Sequence, residues 1–497
     1  MTQPKRGLAL LLAGTLAALG SNLLAQIRVP LVFDNQAGFD TSQVFVHFLP
    51  GSDSPIIGHY FDLSGQQQLL QLSTPYSLAQ ISGPSGHATI PSGSPAVFIE
   101  QFSGRVYLSL GTQGLTLPDP GYSPAAAIPT DPNFFTRYQY VEPTIANGVF
   151  TGDLSYIDFT AISFSLNAIN ATASQVQNNP QTSQNAFQLI NATKATVAPG
   201  KSAILPSIVT NTANPVADPD FARVIGPNID ASPFNTFEDY IDSMNGQSVK
   251  IGGIFVGTGT QNASTLPENR FQTFDFTATF SGTVAGGGSV TLTANPDSGN
   301  ANPTFYPGHT PTGPGVGNSI TITINYSDLN ATTGIYGNSA PYTITTPSGT
   351  FTTAGLTNDV YGRVVGDLLA GFSLGYIGST VTLTPGGTPI GQMTSTEWWG
   401  TGAGSTIPAF LPDGTRINND TTPAAKGIYF RSAQPNVADP TKPRYHQYAD
   451  ALIGADPTHP LTPGYGFPLQ DRVGQNLISL NLNTGNPDAY MTVVINP

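Results

Sequence analysis

The chain has 497 residues and a net charge of −13, because 17 basic residues face 30 acidic ones. Only 9% of the residues are charged, against about 25% in an ordinary soluble domain, which excludes coiled coils and helical repeats and predicts a surface of neutral polar side chains. The acidic balance excludes a surface that follows nucleic-acid phosphates, and the absence of cysteine excludes disulfides, thiolate metal sites and a cysteine nucleophile.

The N-terminus has the pattern of a signal peptide. Lys5 and Arg6 precede an apolar run over 7–20, and Ala25 supplies a small residue before the cleavage point. A membrane anchor is the alternative, but the run is shorter than the ~20 residues that span a bilayer. We therefore predict a signal peptide over 1–25, a secreted protein (extracellular or periplasmic), and no membrane association after cleavage.

Short strands separated by turn residues are predicted from residue 26 to about 185. Examples are the segments 28–33, 44–49 and 105–110, each of which ends at Gly, Pro or Asn-containing turns. Many short strands at such spacing favour a β-sandwich or barrel. A polar stretch rich in Gln, Asn and Thr then marks the expected end of this first domain.

A mixed α/β domain is predicted over 186–464. The capping-box pair of Asn235 and Glu238 predicts a short helix that ends at Gly246. The remaining predictions are helices over 360–369 and 443–452, strands over 249–256, 271–280, 290–292 and 320–324, a long loop over 296–318, and strands over 477–482 and 491–495. We expect the final segment, 465–497, to pair with the first domain, so the fold class is mainly β with an α+β part.

Two carboxylates on strand segments are the main candidates for chemistry. Glu142 shares a strand face with Tyr140 and Thr144, and Asp158 lies in a second strand segment. Their separation of 16 residues puts both on one face if the two segments form a hairpin that is symmetric about Phe150. Paired acids in a groove are the arrangement that glycoside hydrolysis needs. An ordinary solvated hairpin face is the alternative.

Other motifs give weaker evidence of function than the two carboxylates. Trp398 and Trp399 offer flat faces on which sugar rings stack, with core packing as the alternative. The segment 371–375 matches a nucleophile-elbow pattern, but the residues before it have helical spacing, which favours a helix C-terminus. The six histidines lack metal-ligand spacing, so we expect no metal and no other cofactor.

Several sequence blocks follow one another in a fixed order along the chain, at 105–111, 140–144, 156–159, 222–227, 239–242, 359–371, 444–450 and 465–468. Together and in this order they resemble glycoside hydrolase family 64, the laminaripentaose-producing type of β-1,3-glucanase with a thaumatin-like domain. The resemblance implies a thaumatin-like β-sandwich or barrel packed beside a mixed α/β domain, with a wide cleft between them.

The resemblance also implies roles for individual residues. Glu142 is then the general acid and Asp158 the general base of an inverting reaction. Thr144 and Ser155 match hydroxyl positions of the family's groove, and Asn147 lies beside Ala146, which replaces a family asparagine. With Tyr140, Trp398 and Trp399 these residues form the predicted substrate-binding set.

We expect a monomeric, secreted endo-β-1,3-glucanase whose partner is β-1,3-glucan of the laminarin or curdlan kind. A non-catalytic glucan-binding protein is the second hypothesis, and an exported structural or adhesive β-protein is the third. Inversion further predicts that Glu142 and Asp158 are not packed tip to tip, because a water molecule must enter between them.

Overall fold

The computed structural model describes most of the chain. The described residues are 27–51, 55–72, 74–83, 90–119, 121–170, 175–178, 204–206, 221–256, 271–294, 320–346, 349–353, 356, 360–380, 382, 386–395, 397, 444–454, 465–466, 468–469, 478–484 and 488–496. The predicted signal peptide, the predicted loop over 296–318, and both tryptophans lie outside them. Within these ranges no helix is long and apolar enough to cross a membrane.

The described elements are mostly strands. The helices are α1 (Glu238–Ser243), α2 (Tyr326–Asn330), α3 (Val360–Leu374) and α4 (Gln447–Gly454). The strands are β1 (Val29–Asn35), β2 (Val44–Pro50), β3 (Ile57–Phe61), β4 (Gln67–Leu69), β5 (Tyr76–Ser77), β6 (Ala96–Leu110), β7 (Arg137–Ala146), β8 (Val149–Leu154), β9 (Phe159–Thr160), β10 (Phe164–Asn170), β11 (Gln175–Asn178), β12 (Ile204–Pro206), β13 (Phe221–Ile225), β14 (Ser248–Val256), β15 (Phe271–Ser281), β16 (Ser289–Ala294), β17 (Thr321–Asn325), β18 (Tyr342–Thr346), β19 (Gly349–Thr353), β20 (Ile478–Asn481) and β21 (Tyr490–Ile495).

A 12-stranded sheet contains the N-terminal strands, and its main path runs β11-β10-β21-β1-β6-β7-β8-β20. Strand β20, at one end of that path, also lies against β10 near the other end, so the sheet curls toward a barrel. The long strand β6 pairs with β1, β2, β3 and β7 and is the centre of this sheet.

The C-terminal strands are part of this first sheet. Strand β21 lies between β1, to which it is parallel, and β10, to which it is antiparallel, while β20 pairs with β8. All six residues of β21 are buried, which accounts for the mostly apolar sequence of this strand.

A second sheet of six antiparallel strands, β14 to β19 in chain order, forms the α+β part. Its strands alternate buried aliphatic residues with more exposed threonines, and α3 packs against β14 and β15. The prediction of a mainly β fold with an α+β part is confirmed. The proposed domain boundaries and the wide cleft between the two parts remain predictions.

The predicted helices are present, with one correction. The capping box of Asn235 and Glu238 is wrong: the short helix begins at Glu238 after the non-helical Phe237. The Asn235 amide instead donates a hydrogen bond to the side chain of Gln447 in α4. Ser373 of the elbow-like segment lies within α3, as the helical spacing before it predicts. Its side chain is fully buried.

Replacing Met491 by alanine tests the role of the C-terminal strand. Met491 is fully buried, and it pairs with Leu31 of β1 and Ala168 of β10. We expect the M491A change to lower the free energy of unfolding by about 2–5 kcal/mol in urea denaturation. The exposed Ser479 of β20 is the control. The S479A change should alter the free energy of unfolding by less than about 0.5 kcal/mol. Equal stability of M491A and the unchanged protein would contradict a structural role for β21.

Candidate active site

The hairpin formed by β7 and β8 positions Glu142. Its turn is Asn147-Gly148, whose φ angles of 51° and 75° are both left-handed, as a two-residue turn of type I′ requires. Ala146 and Val149 pair across this turn. A two-residue turn fixes the register, which places Glu142 directly opposite Asp153.

This register is not the symmetric one under which Glu142 and Asp158 would lie opposite each other. The hairpin is not symmetric about Phe150, because the Asn-Gly pair accepts the left-handed conformation and turns the chain earlier. Strand β8 therefore ends at Leu154, and Asp158 lies beyond it, just before β9. Asp158 is not the cross-strand partner of Glu142.

Asp158 reaches the site from the segment between β8 and β9. Its backbone carbonyl accepts a hydrogen bond from the Gly226 amide at 2.7 Å. Gly226 approaches so closely that a Cβ atom there would lie 2.4 Å from the Ile157 carbonyl oxygen. Only glycine permits this contact without a backbone shift.

Two hydrogen bonds orient the Asp158 carboxylate. The Tyr140 hydroxyl donates to Oδ2 at 3.0 Å, and the Asn228 amide donates to Oδ1 at 2.9 Å. Burial, and then the charge of Asp158, raise the pKa of Tyr140 well above its usual range, so its phenol keeps the proton that it donates.

Arg105 joins the two carboxylates. The register of β6 and β7 places Arg105 opposite Glu142, and its Nε lies 2.9 Å from Glu142 Oε1. Its Nη2 lies 3.9 Å from Asp158 Oδ2. The guanidinium also stacks on the Tyr140 ring, 4.3 Å from the centroid. Burial opposes the charge of Arg105, but Tyr140, Tyr107 and Glu142 outweigh that effect and raise its pKa.

A cleft of about 370 Å³ opens beside Glu142. Thr144 is exposed in this cleft, where its hydroxyl lies 3.1 Å from that of Ser103. The lining residues are Leu49, Pro50, Gly51, Ser103, Gly104, Arg105, Gly121, Tyr122, Ser123, Glu142, Pro143 and Thr144. Their mixture of hydroxyl, glycine and apolar surface, with one ion pair, suits a neutral polar ligand.

Buried Arg223 supports the loop that forms one wall of this cleft. Its guanidinium stacks on the Tyr138 ring at 4.1 Å and donates hydrogen bonds to the backbone carbonyls of Ala126, Asn133 and Thr136. The cleft residues Gly121, Tyr122 and Ser123 precede this anchored stretch in the same connection between β6 and β7.

The other predicted residues lie in different environments. Tyr140 is buried and orients Asp158. Ser155 is only 3% exposed, and its backbone bridges to Tyr465. Asn147 is in the hairpin turn, five residues from Glu142, or about 16 Å along the strand. Direct sugar contacts by these three residues remain predictions, and Trp398 and Trp399 lie outside the described residues.

Sequence reasoning missed three residues of the site. Arg105 was noted only as part of a sequence block, although a lone arginine alternating with Tyr107 on a strand face was an available signal. Asn228 directly follows the 222–227 block. Asp153 follows Gly152, a residue that is typical of turns. Burial and then the charge of Glu142 raise the pKa of Asp153 to about 7.

No metal centre is found in the described part of the chain: no group of three or more His, Cys, Asp or Glu side chains there is arranged to hold a metal ion. The paired carboxyl groups of Glu142 and Asp158 are of the type that supports acid and base chemistry.

Several solved structures resemble the chain at low sequence identity. A laminaripentaose-producing beta-1,3-glucanase in complex with laminaritetraose has 16% identity and a TM-score of 0.47, over 95% of this chain and 99% of that chain. A beta-1,3-glucanase domain (GH64) from Clostridium beijerinckii has 12% identity and a TM-score of 0.36, over 94% and 98%. A GH family 64 enzyme from Paenibacillus barengoltzii, complexed with laminarihexaose, has 16% identity and a TM-score of 0.27, over 46% and 58%.

Similarity at this level does not establish a substrate, and no curated protein matches the chain. The family comparison is more direct. Residues 29–247 match the model of glycoside hydrolase family 64, described as Beta-1,3-glucanase. This range contains Arg105, Glu142, Asp158 and Asn228. The resemblance inferred from the sequence blocks is thus confirmed over 29–247, and the match supports β-1,3-glucan hydrolysis as the activity.

Proposed function

We propose that the protein is a secreted endo-β-1,3-glucanase that hydrolyses laminarin-like or curdlan-like glucan with inversion, Glu142 being the general acid and Asp158 the general base. The observation that carries the proposal is the pair of carboxylates joined by Arg105 beside a cleft whose other lining residues are uncharged. Secretion rests on the signal-peptide pattern over 1–25.

Glu142 has the position that a general acid needs. Its carboxyl lines the cleft and is about one-third exposed, so that a glycosidic oxygen can reach it. Protonation of that oxygen lets the sugar leave as an alcohol, while positive charge develops on the ring that remains. The neighbouring Thr144 hydroxyl is placed to hydrogen-bond a sugar in the same cleft.

Asp158 has the surroundings that a general base needs. Its carboxylate is 19% exposed, so water has access to it. Tyr140 and Asn228 donate hydrogen bonds that fix the direction of the carboxylate, and Arg105 lies within ion-pair distance of it. A carboxylate held in this way takes a proton from a water molecule as that water attacks the anomeric carbon.

The hairpin register supports inversion over retention. Residues directly opposite on a strand pair have Cβ atoms about 4.5–5.5 Å apart, which suits the ~5–5.5 Å carboxyl spacing of retaining enzymes. Asp153 has that place opposite Glu142, and Asp158 enters from a separate segment. We infer that the gap between Glu142 and Asp158 admits the water molecule that an inverting reaction needs.

Replacing Glu142 by glutamine tests the acid. We expect E142Q to lower turnover of soluble β-1,3-glucan by about 10²–10⁴-fold, because general acid assistance is lost. Reducing-end release measures turnover, and calorimetric titration with a glucan oligosaccharide should show binding largely retained. Glu238 of α1 provides the matched control, and E238Q should leave both unchanged. Undiminished turnover by E142Q would rule out the assignment.

Replacing Asn228 by alanine tests the orientation of the base. Loss of a hydrogen bond to a charged group costs about 1.5–3 kcal/mol, so N228A should lower kcat by about 10- to 100-fold while KM changes little. The same Asn-to-Ala change at Asn325, exposed on β17, serves as the control. An N228A protein with the kcat of the unchanged enzyme would show that this hydrogen bond does not position the base.

A further inference from the structure

A third carboxyl faces the proposed acid. Asp153 is the cross-strand partner of Glu142, and Thr151 is the partner of Thr144, so these four side chains share one face of the β7–β8 hairpin. The alternate residues of β8, Phe150, Gly152 and Leu154, are buried on the opposite face.

The charges around Glu142 are unequal on its two sides. Arg105 on β6 pairs with Glu142 and reaches Asp158. On the side of β8, no described cation lies within ion-pair distance of Asp153. The described residues of β20 and β10, which also contact β8, carry no ionisable side chain. Among the described ionisable groups, Glu142 faces Asp153, and Arg105, Tyr140 and Asp158 lie beyond Glu142. Tyr465 lies against the end of β8 through its backbone.

A partly buried carboxyl that faces a second carboxyl without a cation of its own cannot ionise easily, because both desolvation and the like charge oppose it. Two carboxyl groups that interact strongly lose their protons in steps that belong to the pair. Glu142 has the guanidinium of Arg105 beside it, whereas no cation in the described part of the chain pairs with Asp153, so burial and the like charge favour the protonated form of Asp153. Consistent with this, the pKa of Asp153 is raised to about 7.

We propose that Asp153 is a positioning residue that holds the proton for the general acid: the pair Glu142 and Asp153 carries one proton, which lies on Asp153 in the free protein and passes to Glu142 in the glucan complex. The proposal rests on the proposed function. It explains how a carboxyl that is ion-paired with arginine becomes a proton donor at neutral pH.

The proton count closes over one turnover. Asp153 gives its proton to Glu142, directly or through one water, and Glu142 gives it to the departing glycosidic oxygen. Asp158 takes one proton from the attacking water, whose oxygen forms the new bond to the anomeric carbon. Asp158 then releases that proton to solvent, and the pair takes one back. The net reaction is hydrolysis of one glycosidic bond.

The isosteric change Asp153→Asn tests the proposal, because it removes the carboxyl while keeping the side-chain volume. In the ligand-free protein, the carbon-13 signals of the carboxyl groups should include one aspartate that titrates near pH 7, and D153N should lose it. In the enzyme assay, D153N should move the alkaline limb of kcat/KM to lower pH by at least one unit, a loss of at least 10-fold above that limb. The acid limb should stay in place.

Two further variants complete the test. Asp328 of α2 lies in the second sheet region, and D328N should change neither the titration nor the pH profile. Asp153→Glu keeps a carboxyl at this position and should retain the alkaline limb, so it decides the matter if D153N does not fold.

The outcomes separate the two proposals. An active enzyme whose alkaline limb is the same in D153N, or which shows no aspartate titrating near pH 7, would overturn the role of Asp153. A protein that shows the titrating aspartate and hydrolyses no β-1,3-glucan would overturn the proposed function and leave the shared proton in place.

Discussion

The contact of one guanidinium with two carboxylates is the constraint on which the site depends. Arg105 is bound by Glu142 on the neighbouring strand and reaches Asp158 on a segment beyond the hairpin. Arg105 and Glu142 are each more than one-third exposed, so water screens their ion pair and its contribution to folding stability is small. Arg105 contributes to the geometry of the site instead, because a planar guanidinium stacked on the Tyr140 ring can hold two acids at fixed positions.

The fold provides this geometry through elements that are far apart in the sequence. The central strand β6 carries Arg105, the hairpin carries Glu142, and the stretch after β13 supplies Asn228 to Asp158. The close approach of Gly226 to the Ile157 carbonyl locks that stretch against the Asp158 segment. Backbone contacts of this kind hold the segments that carry the proposed acid and base. Such support matters because small displacements of a catalytic group are costly.

Much of the architecture could be predicted from the sequence, since alternating apolar residues with clear turn signals specify strands such as β1, β2 and β14 to β17. The site was harder to predict. Glu142 and Asp158 were proposed from spacing and family resemblance. The symmetric register that would place them on directly opposite residues is not present, because the Asn147-Gly148 turn sets a different register. Asn228 contacts Asp158 across 70 residues, and no local pattern predicts such a contact. The pairing of Asp153 with Glu142 became visible only when the register was known.

The central proposal is that Glu142 and Asp158 hydrolyse β-1,3-glucan in a single displacement by water. The most direct test is proton NMR of the anomeric signals during the first minutes of hydrolysis of a soluble β-1,3-glucan, before mutarotation. The account predicts that the sugar released first is the α anomer, since water attacks the face opposite the leaving group. Initial release of the β anomer would contradict it, because that outcome requires two displacements and a covalent glycosyl-enzyme intermediate.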